Sequence, residues 1–213
     1  MQQLFRRVTV VVFTGVLLTS ISVSQAEKTF SHGLFAELLR KYVNDGMVDY
    51  KGFKDEEQQL DRYLELLNKA NPEALSRDER FAFYMNAYNA YTIKLILINY
   101  PVKSIKNTGS LLKSPWKISF VKIGGKTLTL DDVEHNILRP TFQDARVHFA
   151  INCAAKDCPP LYPETFEGDI VDEQLEKNTR AFLNNREKTI WMGRFCMSLD
   201  CSNGLAVISM TIL

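Results

Sequence analysis

One stretch constrains the fold more than any other. From Phe81 to Asn99 the chain reads Phe-Ala-Phe-Tyr-Met-Asn-Ala-Tyr-Asn-Ala-Tyr-Thr-Ile-Lys-Leu-Ile-Leu-Ile-Asn. Wound as a helix it is apolar nearly all the way round, and a helix without a polar face belongs at the centre of a core. Its start is marked by Ser76-Arg77-Asp78-Glu79, a capping box in which the serine oxygen accepts from an amide and the glutamate reaches back. Pro101 stops it.

The other segments arrange themselves around that helix. Phe30 to Asn44 reads as a helix, with Leu34, Leu38 and Tyr42, and Phe35 and Leu39, at helical spacing. Gly46 ends it, and Val48 to Tyr50 is a short extended piece. Asp55 to Asn68 is a second helix with Leu60, Tyr63, Leu64 and Leu67 on one face, followed by Pro72. Lys117 to Ile123 alternates polar and apolar, Gly124-Gly125 supplies a tight turn, and Lys126 to Leu130 returns, which predicts a hairpin. Asp131 to Arg139 is a short helix with acids in its first turn, ended by Pro140. Val147 to Asn152 reads as a strand, and Asp172 as the cap of a helix to Leu183. The expected class is α+β: a helical N-terminal half whose buried central helix packs on a small, mostly antiparallel sheet.

Residues 1–26 have the parts of a cleavable secretory signal peptide in order. Arg6 and Arg7 supply the positive region, Val8 to Ile21 carries no charge, and Ser24-Gln25-Ala26 offers small residues to a peptidase. The uncharged run is interrupted by Thr9, Thr14, Thr19 and Ser20, too short and polar for a retained anchor of about 20 apolar residues. The chain after cleavage, 27–213, is expected to form one domain in the periplasm or outside the cell, with no stable membrane span. Formal charge is +1 for the whole sequence, without the basic footprint of a nucleic-acid-binding protein. No cofactor is indicated, and the expected partner is a small-molecule or peptide ligand.

Chemistry concentrates in Arg146-Val-His148-Phe-Ala-Ile-Asn152-Cys153-Ala-Ala-Lys-Asp-Cys158-Pro159-Pro160. Here an apolar segment delivers a histidine, an asparagine and a cysteine to one loop. A reactive thiol needs a base or cation beside it, and His148 is nearest in sequence, with His135 a competing base. On a strand, however, His148 and Asn152 share one face and Cys153 takes the other. An exported chain favours disulfides, so a local Cys153–Cys158 bridge stands beside the free thiol. A metal site using Cys153, Cys158, His148 or His135 is a third reading, although Cys-x4-Cys is not a usual zinc spacing. Cys196 and Cys201 have the same separation. Glu134 beside His135 could orient an imidazole. Asn86 and Asn89, three apart on the central helix, must find partners if buried. They either brace the loop of Cys153 or, with Arg146, contact a substrate.

Several of these stretches together resemble a family known as domain of unknown function 547 (DUF547). The resemblance rests on Phe83-Tyr84-Met85-Asn86-Ala87-Tyr88-Asn89-Ala90, on Pro115-Trp116, and on Leu128-x-Leu-Asp-Asp-Val-Glu134-His135-x-Ile-Leu138-Arg139. It continues through Arg146 to Cys153 and on to Cys158-Pro159-Pro160, and covers about Phe30 to Trp191. The family name implies no activity. The tail from Arg194 departs from the pattern and reads as truncated or atypical.

Three functions follow. The leading one is a thiol-dependent acyl transfer or amide hydrolysis. In it Cys153 is the nucleophile, His148 the base or acid with His135 as the competing base, and Asn152 or Glu134 an orienting group. The second is a non-catalytic binding or assembly domain of the cell envelope, with Cys153–Cys158 as a structural bridge. The third is a thiol–disulfide redox protein.

Overall fold

The structure, a computed structural model, describes residues 29–109, 114–154 and 158–184. The expected leader and the tail with Cys196 and Cys201 lie outside the described residues. Helix α1 (Gly33–Tyr42) leads into a two-residue hairpin, β1 (Val43–Asn44) and β2 (Met47–Val48). Helices α2 (Tyr50–Asp55) and α3 (Glu57–Lys69) follow, then the central helix α4 (Arg77–Ile98). A second hairpin, β3 (Val121–Ile123) and β4 (Lys126–Leu128), precedes a π-helical segment (Asp132–Leu138) that runs into α5 (Arg139–Phe142). Two further helices, α6 (Val147–Ala150) and α7 (Val171–Leu183), complete the described chain.

The central helix is where the sequence puts it. Every residue from Phe81 to Ile93 is buried. Ser76 caps α4 by accepting from the Glu79 amide at 3.3 Å. At the other end Lys54 Nζ donates to the Leu97 carbonyl at 3.0 Å, a cation on the negative end of the helix. Phe83, Met85 and Tyr88 are at most 1% exposed, and full burial of each such side chain contributes about 1.5–3 kcal/mol. The helices of the N-terminal region and the two small antiparallel sheets pack around this post in one continuous core.

Both hairpins turn on glycine and dock by backbone. Gly124 and Gly125 have φ of +57° and +74°, and their amides donate to the Leu67 and Asn68 carbonyls at 3.1 and 2.8 Å. The hairpin tip thereby closes the C-terminal end of α3, whose last carbonyls have no partner within the helix. At the first hairpin, Gly46 has φ +74°, and a Cβ there would come within 2.1 Å of Pro160.

Two local expectations are revised. Val147–Ala150 is a single helical turn, extended only from Ile151 onward. A short apolar run carries no period long enough to choose between strand and helix. Pro140 does not end the preceding helix but enters the first turn of α5, where a missing N–H costs nothing. The wide turn before it closes through the Arg139 amide onto the Glu134 carbonyl.

His32 shows what burial does to a titratable group. It is 2% exposed, its Nδ1 lies 2.6 Å from the Tyr63 hydroxyl, and its Nε2 has no partner among the described residues. Burial lowers its pKa from 6.5 to about 3. Between those values the unfolded chain binds a proton that the folded chain refuses, so stability is full above pH 6.5 and falls as pH drops. Denaturant titrations at pH 7 and pH 5 should show a loss of roughly 2 kcal/mol from this residue. His32→Asn should remove that part of the difference; an unchanged pH dependence in the variant would refute the assignment.

Candidate functional site

The segment from Asp144 to Glu167 carries most of the residues singled out by sequence, yet none of its described residues lies in a sheet. Its backbone must find partners elsewhere, because buried amides and carbonyls are almost always paired. Side-chain amides supply them. Asn89 Nδ2 donates to the Ala150 carbonyl at 3.0 Å, and its Oδ1 accepts from the Asn152 amide at 2.8 Å. Asn86 treats Phe166 the same way, donating to its carbonyl at 2.8 Å and accepting from its amide at 2.9 Å. From α7, Gln174 donates to the Thr165 carbonyl and accepts from the Glu167 amide, at 2.9 and 2.8 Å. Asn178 donates to the Phe149 carbonyl at 2.6 Å. Each clamp does what a neighbouring strand would do.

Asn152 continues the pattern within the loop. Its Nδ2 donates to the Pro159 carbonyl at 2.6 Å, and its Oδ1 accepts from the Ala154 amide at 2.8 Å. Cys153 and Cys158 are joined in a disulfide with a Cα–Cα separation of 6.0 Å. Both are partly buried. Just beyond, Leu161 donates to the Gly46 carbonyl at 3.3 Å, so the first hairpin is seated on the chain that leaves the bridge.

The bridge corrects the thiol reading. With its sulfur bonded to Cys158, Cys153 has no thiolate to attack an acyl group or an amide, and the leading expectation of a Cys-His hydrolase or transferase falls. No group of three or more His, Cys, Asp or Glu side chains arranged to hold a metal occurs among the described residues.

The remaining residues are placed as follows. His148 stands on α6, its ring edge-on to Phe149 at 5.5 Å. Its pKa is lowered, first by burial and then by the charge of Arg139, with Glu134 opposing. Glu134 lies in the π-helical segment, bound by Arg139 at 2.7 and 3.2 Å, with the Tyr88 hydroxyl at 3.4 Å. Tyr88, Glu134, Arg139 and His148 thus form one neighbourhood. His135, the next residue, points elsewhere: it is half exposed, with Asp131 at 3.9 Å. Arg146 is held by Asp144 at 2.7 Å and Asp172 at 2.6 Å. Burial alone would raise the Asp144 pKa, but the hydrogen bonds and charge of Arg146 hold it below the usual carboxylate range. Asp172 therefore serves Arg146 from the first turn of α7, whose N-cap is Ile170.

Sequence reasoning missed Gln174 and Asn178. They stand four apart on α7 and face the same way, a spacing equivalent to that of Asn86 and Asn89, and that repetition was the available signal. Arg139 as the partner of Glu134, five residues away, was hidden by the π-helical turn.

The family described as "Protein of unknown function, DUF547" matches residues 72–183, more than half of the chain. The chain belongs to that family. The DUF547 match begins just ahead of α4 and ends at the last residue of α7, so it takes in all four clamping amides and the disulfide loop. No curated protein and no solved structure gives a significant match.

Replacing Asn89 by Leu keeps the branched outline of the side chain and orphans the Ala150 carbonyl and the Asn152 amide. Each buried orphan costs about 1–3 kcal/mol, so Asn89→Leu should lose about 2–6 kcal/mol in a denaturant titration. A loss under about 1 kcal/mol would show that water replaces the clamp.

Proposed function

We propose that this DUF547 protein works after export as a non-catalytic binding or assembly domain of the cell envelope, with Cys153–Cys158 as a staple. The observation that carries this reading is the bridge itself, set in a loop already tied by Asn152 to Ala154 and Pro159. A cysteine meant for chemistry is kept free and beside a base. This one is joined to a neighbour in a loop whose Asn152 side chain is already paired with Ala154 and Pro159.

The envelope location rests on the leader-like residues 1–26 and agrees with the bridge, since disulfides persist in oxidising compartments. No helix among the described residues is long and apolar enough to cross a membrane. The ligand is a small molecule or a peptide.

Mass mapping after thiol labelling of the exported protein, native and then reduced, is the direct test. Cys153 and Cys158 should label only after reduction. The double variant Cys153→Ala with Cys158→Ala should fold with stability lower by about 2 kcal/mol, the loop-closure value for so short a ring. It should also complement a deletion strain. Quantitative labelling of native Cys153 would sink the reading, and so would loss of complementation by a variant that still folds. A bridge that mild reductant opens without loss of stability would favour redox cycling instead.

A further inference from the structure

On α4, away from the disulfide loop, lies a cleft of about 510 Å³, within the range of small-molecule sites. None of the residues lining it belongs to the segment from Asp144 to Glu167. Its base is the turn from Ala70 to Glu73. One wall is the start of α4, with Arg80 and Tyr84; the other walls are the β3–β4 hairpin and the face of the π-helical segment and α5 that carries Ile137 and Thr141.

The chemistry of the lining is mixed in a specific way. Leu128 and Ile137 present apolar surface beside the buried Ile123. Arg80 and Lys126 bring two positive charges and Glu73 one negative, leaving a surplus of one positive charge. Arg80 is three-quarters buried. It spends Nη1 on Glu73 at 2.8 Å, while its Nε has no partner among the described residues. Glu73 is 70% exposed, and an ion pair so open to solvent contributes little. The guanidinium is therefore only partly satisfied and can exchange Glu73 for a better anion. Tyr84 stands beside it, 7% exposed, its phenol kept protonated by burial and by the charge of Glu73. It can donate a hydrogen bond to an anion and cannot repel one.

The walls are preformed. Tyr91 donates to the Lys122 carbonyl at 2.7 Å, the Gly124 and Gly125 amides hold the hairpin tip to α3, and Arg139 and Tyr88 hold Glu134. A site built on fixed elements loses little entropy when it is filled.

We infer that this cleft binds a monoanionic amphiphile, its single carboxylate or phosphodiester charge received by Arg80 and Lys126 and its apolar chain laid along Leu128 and Ile137. This rests on the binding-domain reading above and gives that reading a ligand class.

Calorimetric titration of the full-length, disulfide-bonded chain tests it with four probes below their micelle concentrations. Decanoate and dihexanoyl phosphatidylglycerol are the two anionic arms, and they separate a carboxylate from a lipid phosphodiester. Decanol and decyltrimethylammonium are the neutral and cationic controls. At least one anion should bind, at least tenfold more tightly than either control. Arg80→Gln should weaken it about tenfold, the value of one charge-assisted contact, and Lys126→Gln about threefold. Glu73→Gln should strengthen it about threefold by removing the competing acid, a gain that a merely structural role would not produce. If Arg80→Gln proves unstable, the two exposed-residue variants carry the test. Equal binding of decanol and the anions, or anion affinity indifferent to both Lys126→Gln and Glu73→Gln, would overturn the inference. Binding of a control alone would sink the ligand class and leave the binding reading intact. Silence of all four would sink the ligand class too, and the envelope reading would then stand or fall on the cysteine variants.

Discussion

The structure depends on a substitution of side-chain amides for a sheet. Between α5 and α7 the chain runs for more than twenty residues with no strand among those described, only the turn of α6 and a 3-10 turn at Gly168–Ile170, and much of it is buried. Burial without partners would cost several kcal/mol at each orphaned group. Asn86, Asn89, Gln174 and Asn178 remove that cost by pairing with the backbone at Phe166, Ala150, Asn152, Thr165, Glu167 and Phe149. An amide side chain presents a donor and an acceptor side by side, as a strand edge does. Three of the four use both, so the extended stretch at Phe166 is gripped from α4 on one side and from α7 on the other.

The disulfide belongs to the same device. It closes a ring of only a few residues, and its contribution to global stability is small beside that of the core around α4. What it fixes is the path of the loop between two anchored points. Asn89 holds the entry at Asn152, and the Gly46 carbonyl and the proline pair hold the exit at Leu161. A reactive cysteine in this position would have required the loop to open. The residues around it are instead committed to keeping it closed.

Much of this was legible in the sequence and the rest was hidden for definable reasons. The apolar run from Phe81, with Ser76 before it and Pro101 after it, dictates a buried helix, and the Gly124-Gly125 pair dictates a hairpin. Both depend only on local periodicity and turn chemistry. Asn86 and Asn89 were recognisable as buried amides in need of partners, but their partners are main-chain atoms more than sixty residues away, which no spacing reveals. Val147 to Asn152 misled because six residues, mostly apolar, fit half a strand and one helical turn equally well. His148, Asn152 and Cys153 made a persuasive trio by proximity in sequence. The side chain that settles their role is Cys158, and a sequence offers that bond and the free thiol on equal terms.

The two faces of α4 explain how the stapled loop and the cleft coexist. At about 100° per residue, Arg80, Tyr84 and Tyr88 fall on one stripe, while Asn86 lies nearly opposite Tyr84. The first stripe lines the cleft and reaches the segment that walls it, through the contact of Tyr88 with Glu134. The opposite stripe grips the loop half through Asn86 and Asn89. The helix between them is buried from Phe81 to Ile93, and a densely packed post does not deform by degrees. A change confined to one face therefore reaches the other only by moving the whole helix. This is why the domain can hold its loop in place with a disulfide and still keep, on the far side of the same helix, a cleft lined by Arg80, Lys126 and Glu73.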